Sequence, residues 1–259
     1  MQHFIITEPY RNMRARARQV LTGKWLPVIT AVLFYFFFAT LIPEFFSEFV
    51  PIGIVEQELF DGTKTSMSVV PAFYNAFLGG VFSVGLASFM LGFLKYRDSN
   101  PTHVFDGFEF YVRCFTVSTI KMVIVFAFSL LFLIPGIVML FRYSQAEFIL
   151  AEDPKKGAFQ CLRESKEMMI GNKRYFFLLE LSFIGWGILA SLPVILIMRF
   201  IPSDNQILSF IAFAVCLIPI SIYYTYERVT ATLFYQFISA PYKMQKEQLE
   251  RQEQFRQWS

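Results

Sequence analysis

Charged residues are scarce in this chain, and the side chains most used for chemistry are scarcer still. The two histidines, His3 and His103, stand far apart with no partner at ligand spacing. No zinc site of the usual His/Cys kind is expected, and no cofactor is called for. The three cysteines, Cys114, Cys161 and Cys216, fall in or beside apolar segments, so a disulfide framework is not expected. There is no Gly-x-Ser-x-Gly elbow, no phosphate-binding Gly-Lys-Ser/Thr loop and no His-Glu-x-x-His pair, and nothing therefore points to an enzyme. The net charge is only +3 and the basic residues sit at the ends of apolar stretches instead of forming one stripe, so nucleic acid is not an expected partner. No repeat or linker divides the chain, and residues 1–259 read as a single domain. The basic N-terminus precedes an apolar run that is too long for a targeting peptide and has no small-x-small cleavage site, which predicts an uncleaved first span.

What the chain has instead is apolar surface. At 55% hydrophobic and 19% aromatic content over 259 residues, it carries more than one soluble domain of its size could cover, so the remainder needs lipid. Trp25 to Pro43 is uncharged and reaches about 28 Å as a helix, roughly one bilayer core. Further spans are expected at 70–94, 115–133, 137–151, 175–198 and 207–238, the last kinked by Pro219 and ended by Pro241. Residues 44–64, with five acidic residues and only Lys64 basic, read as an exterior loop, and 199–206 as a tight exterior turn. Helices at 9–22 and 155–170 are amphipathic and are expected to lie along the membrane surface. In the second, Ala158, Phe159, Leu162, Ser165 and Met169 share the apolar side and Gly171-Asn172 supplies the stop. Small residues line the second span, Ala76, Gly80, Ser88 and Gly92 in one row with Gly79, Ser83 and Ala87 beside it, which predicts close helix packing or, alternatively, a substrate path.

The topology turns on Pro135-Gly136, which either kinks one long helix or reverses the chain. A single span from Phe115 to Phe141 gives five crossings and places nine Lys/Arg on the side of the N-terminus against eleven opposite. A reversal gives six crossings. Eighteen of the 23 Lys/Arg then share one side, two (Lys64 and Arg199) lie opposite, and Lys121, Arg142 and Arg228 fall within spans. Positive-inside asymmetry favours the reversal, which predicts an all-α polytopic transmembrane bundle with both termini cytoplasmic. The fourth span is the difficulty: it reaches only about 22 Å and contains Arg142, Gln145 and Glu147, so it is expected inside the bundle or re-entrant.

Six charges lie outside any obvious loop: Lys121, Arg142, Glu147, Glu180, Glu227 and Arg228. Counted back from the helix ends at 1.5 Å per residue, Lys121, Glu147 and Glu180 are roughly 7 to 10 Å deep and Arg142 about 14 Å. Isolated charges at such depth cost at least a few kcal/mol, so they are expected to pair or to meet water. With Tyr143 and Gln145 they form the candidate polar network, read either as ion pairs that fix the fold, with Lys121 and Arg228 snorkelling, or as a functional cavity. Arg142, beside Tyr143 and Gln145, is the residue suited to an anionic headgroup or a carboxylate.

Several blocks carry a resemblance: Ala17-Arg18-Gln19-Val20-Leu21-Thr22-Gly23-Lys24-Trp25, Ile134-Pro135-Gly136-Ile137, Arg142-Tyr143, Asp153-Pro154, Ser165-Lys166-Glu167-Met168-Met169-Ile170-Gly171-Asn172-Lys173, and Leu181-Ser182-Phe183-Ile184-Gly185-Trp186. From about Arg14 to Phe237 the chain resembles the bacterial integral-membrane family catalogued as domain of unknown function number nine hundred seventy-five. More distantly it is similar to the membrane domains attached to some glycerophosphodiester phosphodiesterases. It departs from the family where members tend to carry a Pro-Tyr pair after the exterior part of the last span, since here Pro219 precedes Tyr223 and Tyr224 by several residues, and its polar tail is extra. The resemblance implies a multi-span inner-membrane protein without a separate catalytic domain, and it brings no activity, cofactor or catalytic residue.

Two functions follow as expectations. One is a non-enzymatic membrane component that binds lipid, anionic headgroups included, or another membrane protein, through its basic surface helices. The other is a transporter or channel subunit with a polar route near Arg142 and Glu147.

Overall fold

Backbone polar groups have no partner in lipid except one another, so long uncharged runs close into helices. The computed structural model describes residues 4–50, 53–58, 64–98, 100–200 and 206–258 of the chain. Helix α1 (Tyr10–Leu21) is followed by α2 (Trp25–Phe36), which passes through a π turn at Phe37–Leu41 into α3 (Ile42–Phe49). The acidic loop beyond it contains a short antiparallel ribbon, β1 (Ile54–Glu58) with β2 (Lys64–Ser68), in the register Ile54↔Ser68 to Glu58↔Lys64; Asp61 lies outside the described residues. Then come α4 (Val70–Tyr74), a π turn at Asn75–Gly79, α5 (Gly80–Tyr96), a 3₁₀ segment at Pro101–Phe110, α6 (Tyr111–Leu131), α7 (Leu133–Arg142), α8 (Ala146–Glu152), α9 (Ala158–Met168), α10 (Lys173–Phe200) and α11 (Gln206–Trp258). Among the described residues six helical stretches are long and apolar enough to cross a membrane: Trp25–Phe49, Val70–Tyr96, Pro101–Leu131, Leu133–Glu152, Lys173–Ile197 and Gln206–Gln252.

The chain does reverse after the third stretch, three residues earlier than Pro135-Gly136. Phe132 is extended (φ −159, ψ 147) and breaks the helix, and Pro135 sits in the first turn of α7, where its missing N–H costs nothing. Gly136 then lets α7 pack back on α6: a Cβ there would lie 2.9 Å from Ser129 Cα. A second break at Tyr143–Gln145 separates α7 from α8. Helix α8 is the part that enters the bundle, with Ala146, Phe148, Ile149 and Leu150 buried, while Leu133, Ile134 and Leu140 of α7 face outward.

The helical stretch that contains the span expected at 115–133 already begins at Pro101, and its 3₁₀ part lies flat against α5: Gly85 abuts the Val104 backbone and Gly107 the Val81 backbone, contacts that only glycines permit. One expectation is corrected. Pro241 does not end the last helix, since Tyr242, Lys243 and Lys246 each bond to an acid on a neighbouring element and hold the helical register beyond it. The two amphipathic helices pack on the bundle through their apolar sides: α1 buries Met13, Ala17 and Leu21, and α9 buries Ala158, Leu162 and Ser165 together with Cys161 and Glu164, while Phe159 alone of the expected apolar side points outward. Residues 201–205 of the second exterior turn lie outside the described residues.

Four basic segments meet at one end of the bundle. Arg97 donates to the Val20 carbonyl (2.7 Å) and Lys95 pairs with Glu152 (2.6 Å), which also takes Lys243 and the Tyr235 hydroxyl. Glu164 pairs with Lys156 (2.7 Å) and Lys246 (2.9 Å). Burial pushes the Glu164 carboxyl up, but hydrogen bonds from Lys156, Lys246 and Gln160 outweigh it and hold the group below the usual carboxylate range. Asn172 ties in the N-terminal arm, accepting from Ile6 N (3.0 Å) and donating to the Phe4 carbonyl (2.8 Å), after Gly171 turns the chain at φ +82. At the opposite end Phe45 and Phe49 meet Phe210.

Candidate functional site

Glu147 is delivered by the first turn of α8, the element that dips into the bundle, and it is there that the charges of the apolar stretches converge. Lys121 of α6 pairs with it, and Ser83 of α5 donates to its other oxygen (2.8 Å). Across from this pair α11 presents Glu227 and Arg228 in sequence, with Arg228 Nε 2.9 Å from Glu227 Oε2. That approach is a close charge contact and not an aligned hydrogen bond, since the Nε–H finds no acceptor in line. The guanidinium lies over the Tyr224 ring, 4.7 Å from its centre. Glu180 of α10 completes the set, carboxyl to carboxyl with Glu227.

These groups line one cavity of about 390 Å³, walled on the apolar side by Leu140, Phe141, Phe148 and Phe176. Its size is that of a small-molecule site. Depth from the basic end follows from helical rise: Glu147 is six residues from Asp153 and Glu180 eight from Asn172, which places the cavity about 9 to 12 Å below that end. Among the described residues no group of three His, Cys, Asp or Glu side chains could hold a metal ion.

Of the eight residues expected in the network, Lys121, Glu147, Glu180, Glu227 and Arg228 line this cavity, and Arg142, Tyr143 and Gln145 do not. The break between α7 and α8 carries those three out toward the basic end. There Ser165 of α9 donates to the Arg142 carbonyl (3.0 Å) and accepts from Gln145 N (3.2 Å). Among the described residues the Arg142 side chain reaches only Met139 Sδ (3.9 Å) and, more loosely, the Tyr143 ring, and its buried Nε has no partner. Lys173, at the start of α10, feels both Arg142 and Lys166. None of the three forms an ion pair among the described residues. Arg142, Lys166 and Lys173 are thus a second feature, a group of cations outside the cavity.

Sequence reasoning did not find Ser83 as a hydrogen-bond donor to Glu147, nor the Tyr224 ring beneath Arg228. In the sequence Ser83 stands only in the row of small residues, which allows close packing or a substrate path, whereas Tyr224, four residues before Arg228, carries a usable helical signal. The row of small residues serves packing unevenly. Gly80 abuts Ser118 and the Cys114 carbonyl of α6, Ser88 donates to Asp106 (3.0 Å), and Gly92 has open space around it. The three cysteines are free and buried. Burial pushes the Cys161 thiol up to about 11, which leaves it unreactive at neutral pH.

Residues 114–241 match the family model described as protein of unknown function (DUF975). The matched stretch contains the cavity residues other than Ser83, and the whole cationic cluster. No curated protein and no solved structure matches the chain, and the distant likeness to phosphodiesterase-associated membrane domains gains no support from either.

Proposed function

We propose that this is a non-enzymatic, multi-pass component of the bacterial cytoplasmic membrane that binds anionic lipid at its basic end, with both termini in the cytoplasm. The observation that carries the reading is the cluster of Arg142, Lys166 and Lys173, three cations without an ion-pair partner among the described residues. A phosphate on a lipid headgroup would supply the missing negative charge, with the Arg142 guanidinium offering paired donors. Ile170 and Phe177, both exposed beside the cluster, give the acyl chains an apolar path. The orientation is supported by the eighteen Lys/Arg that share this end of the topology, since such residues stay on the cytoplasmic side of short loops.

Thermal unfolding in maltoside micelles tests the lipid reading. Added dioleoylphosphatidylglycerol is expected to raise the midpoint by several degrees and dioleoylphosphatidylcholine to leave it unchanged. The double variant Arg142→Gln/Lys173→Gln is expected to lose the difference. An equal response to the two lipids, or an undiminished response in the variant, contradicts it.

The cavity favours a second reading, a transporter subunit with a polar route past Glu147. Substrate movement in proteoliposomes that stops on Glu147→Gln would decide for this alternative, and lipid binding without flux for the first.

A further inference from the structure

The charges around the cavity do not balance. It holds three carboxyls, Glu147, Glu180 and Glu227, against two cations, Lys121 and Arg228. Each cation is already matched: Lys121 by Glu147, and Arg228 by Glu227 at 2.9 Å. Glu180 is the group left over, with no ion pair among the described residues, and its carboxyl meets that of Glu227. Two carboxyls in contact in a low-dielectric site do not both stay ionised, so an empty cavity is neutral when one proton is shared between them.

We infer that the cavity is a binding site for a small organic monocation of the alkylammonium class, which takes the place of the proton held between Glu180 and Glu227. The exchange balances. The ammonium enters with one positive charge, the shared proton leaves to solvent, and the cavity stays neutral. An ammonium head would lie against Glu180, and its alkyl part against Leu140, Phe141 and Phe176, whose ring faces also attract the cation. An anion is disfavoured because neither Lys121 nor Arg228 lacks a carboxylate, and a metal ion because the walls supply too few oxygens at one point. The charged and titratable groups facing Glu180 are Tyr223, Tyr224, Glu227 and Arg228 from α11, with Lys121 from α6 and Glu147 from α8 across the cavity. Arg14 of α1 is turned away, stacked on Phe183 and Tyr226 and donating to the Ser182 carbonyl. The site is separate from the Arg142, Lys166 and Lys173 cluster and does not rest on lipid binding.

The test is calorimetric titration of the full chain in maltoside micelles with butylammonium chloride, at neutral pH, in phosphate and again in Tris. Comparing the two buffers counts protons released. Saturable binding with about one proton released per cation is expected, as the charge balance requires, while sodium pentanoate and 1-pentanol neither bind saturably nor compete. Glu180→Gln is expected to weaken butylammonium binding roughly tenfold or more and to abolish the proton release. Absence of saturable binding to the wild-type chain, binding without proton release, binding of pentanoate, or an unchanged affinity in Glu180→Gln would each overturn the inference. The wild-type proton count stands even if the variant does not fold.

Discussion

Replacing Glu147 by leucine is expected to destabilise the protein more than almost any other single change at the cavity. The substitution leaves Lys121 half-buried beside apolar walls with its partner gone, and breaking a buried pair from one side costs on the order of 3–5 kcal/mol. Ser83 loses its acceptor as well. The double variant Lys121→Met/Glu147→Leu is expected to recover most of that loss, because removing both charges also removes the cost of holding them out of water. Equilibrium unfolding of the wild type, Lys121→Met, Glu147→Leu and the double variant in mixed micelles reads the cycle. A single Glu147→Leu variant as stable as the wild type would show that the pair is solvated and that the cavity does not bury it.

The second large effect is a contrast between two glycines of one helix. A Cβ on Gly85 would run into the Val104 carbonyl group, backbone that cannot swing aside, whereas one on Gly92 meets nothing within 4 Å. Gly85→Ala is therefore expected to cost about 3 kcal/mol or more by overpacking, and Gly85→Val to prevent a monodisperse fold. Gly92→Ala is expected to be neutral or to stabilise by up to about 1 kcal/mol through helix propensity. The same unfolding measurement applies. Equal behaviour of Gly85→Ala and Gly92→Ala would remove the close packing of the 3₁₀ segment on α5, and with it the extended third stretch.

That segment shows why part of the fold was legible and part was not. Long uncharged runs and the distribution of lysine and arginine gave six stretches and the need for a reversal, because desolvation of backbone and of charge acts on any sequence in the same way. Residues 101–110 escaped because their packing depends on Gly85 and Gly107 meeting across two elements, a pairing that neither segment announces alone. Pro241 read as a stop since proline removes one helical hydrogen bond. The tertiary bonds of Tyr242, Lys243 and Lys246 reverse that local preference. For the site, five charged residues on four helices could be grouped because a charge at that depth needs a partner. Arg142 could not be placed by counting residues, since the count assumed an unbroken helix, and the polar run Tyr143-Ser144-Gln145 was the only sign of the break.

Chain reversal at Phe132 underlies the basic end, the depth of the cavity and the placing of the cationic cluster, and membrane-impermeant maleimide labelling tests it most directly. Single cysteines at the exposed positions Lys24, Arg97, Lys166, Arg251 and Glu48, in a chain with Cys114, Cys161 and Cys216 replaced, would be probed in intact cells and again after the membrane is opened. Lys166 is preferred to the neighbouring Ser165, which is buried. The expected result is labelling of the Glu48 position from outside and of the other four only after opening. Labelling of the Lys166 and Arg251 positions from outside, with Lys24 and Arg97 still protected, would mean that the chain does not turn back at Phe132.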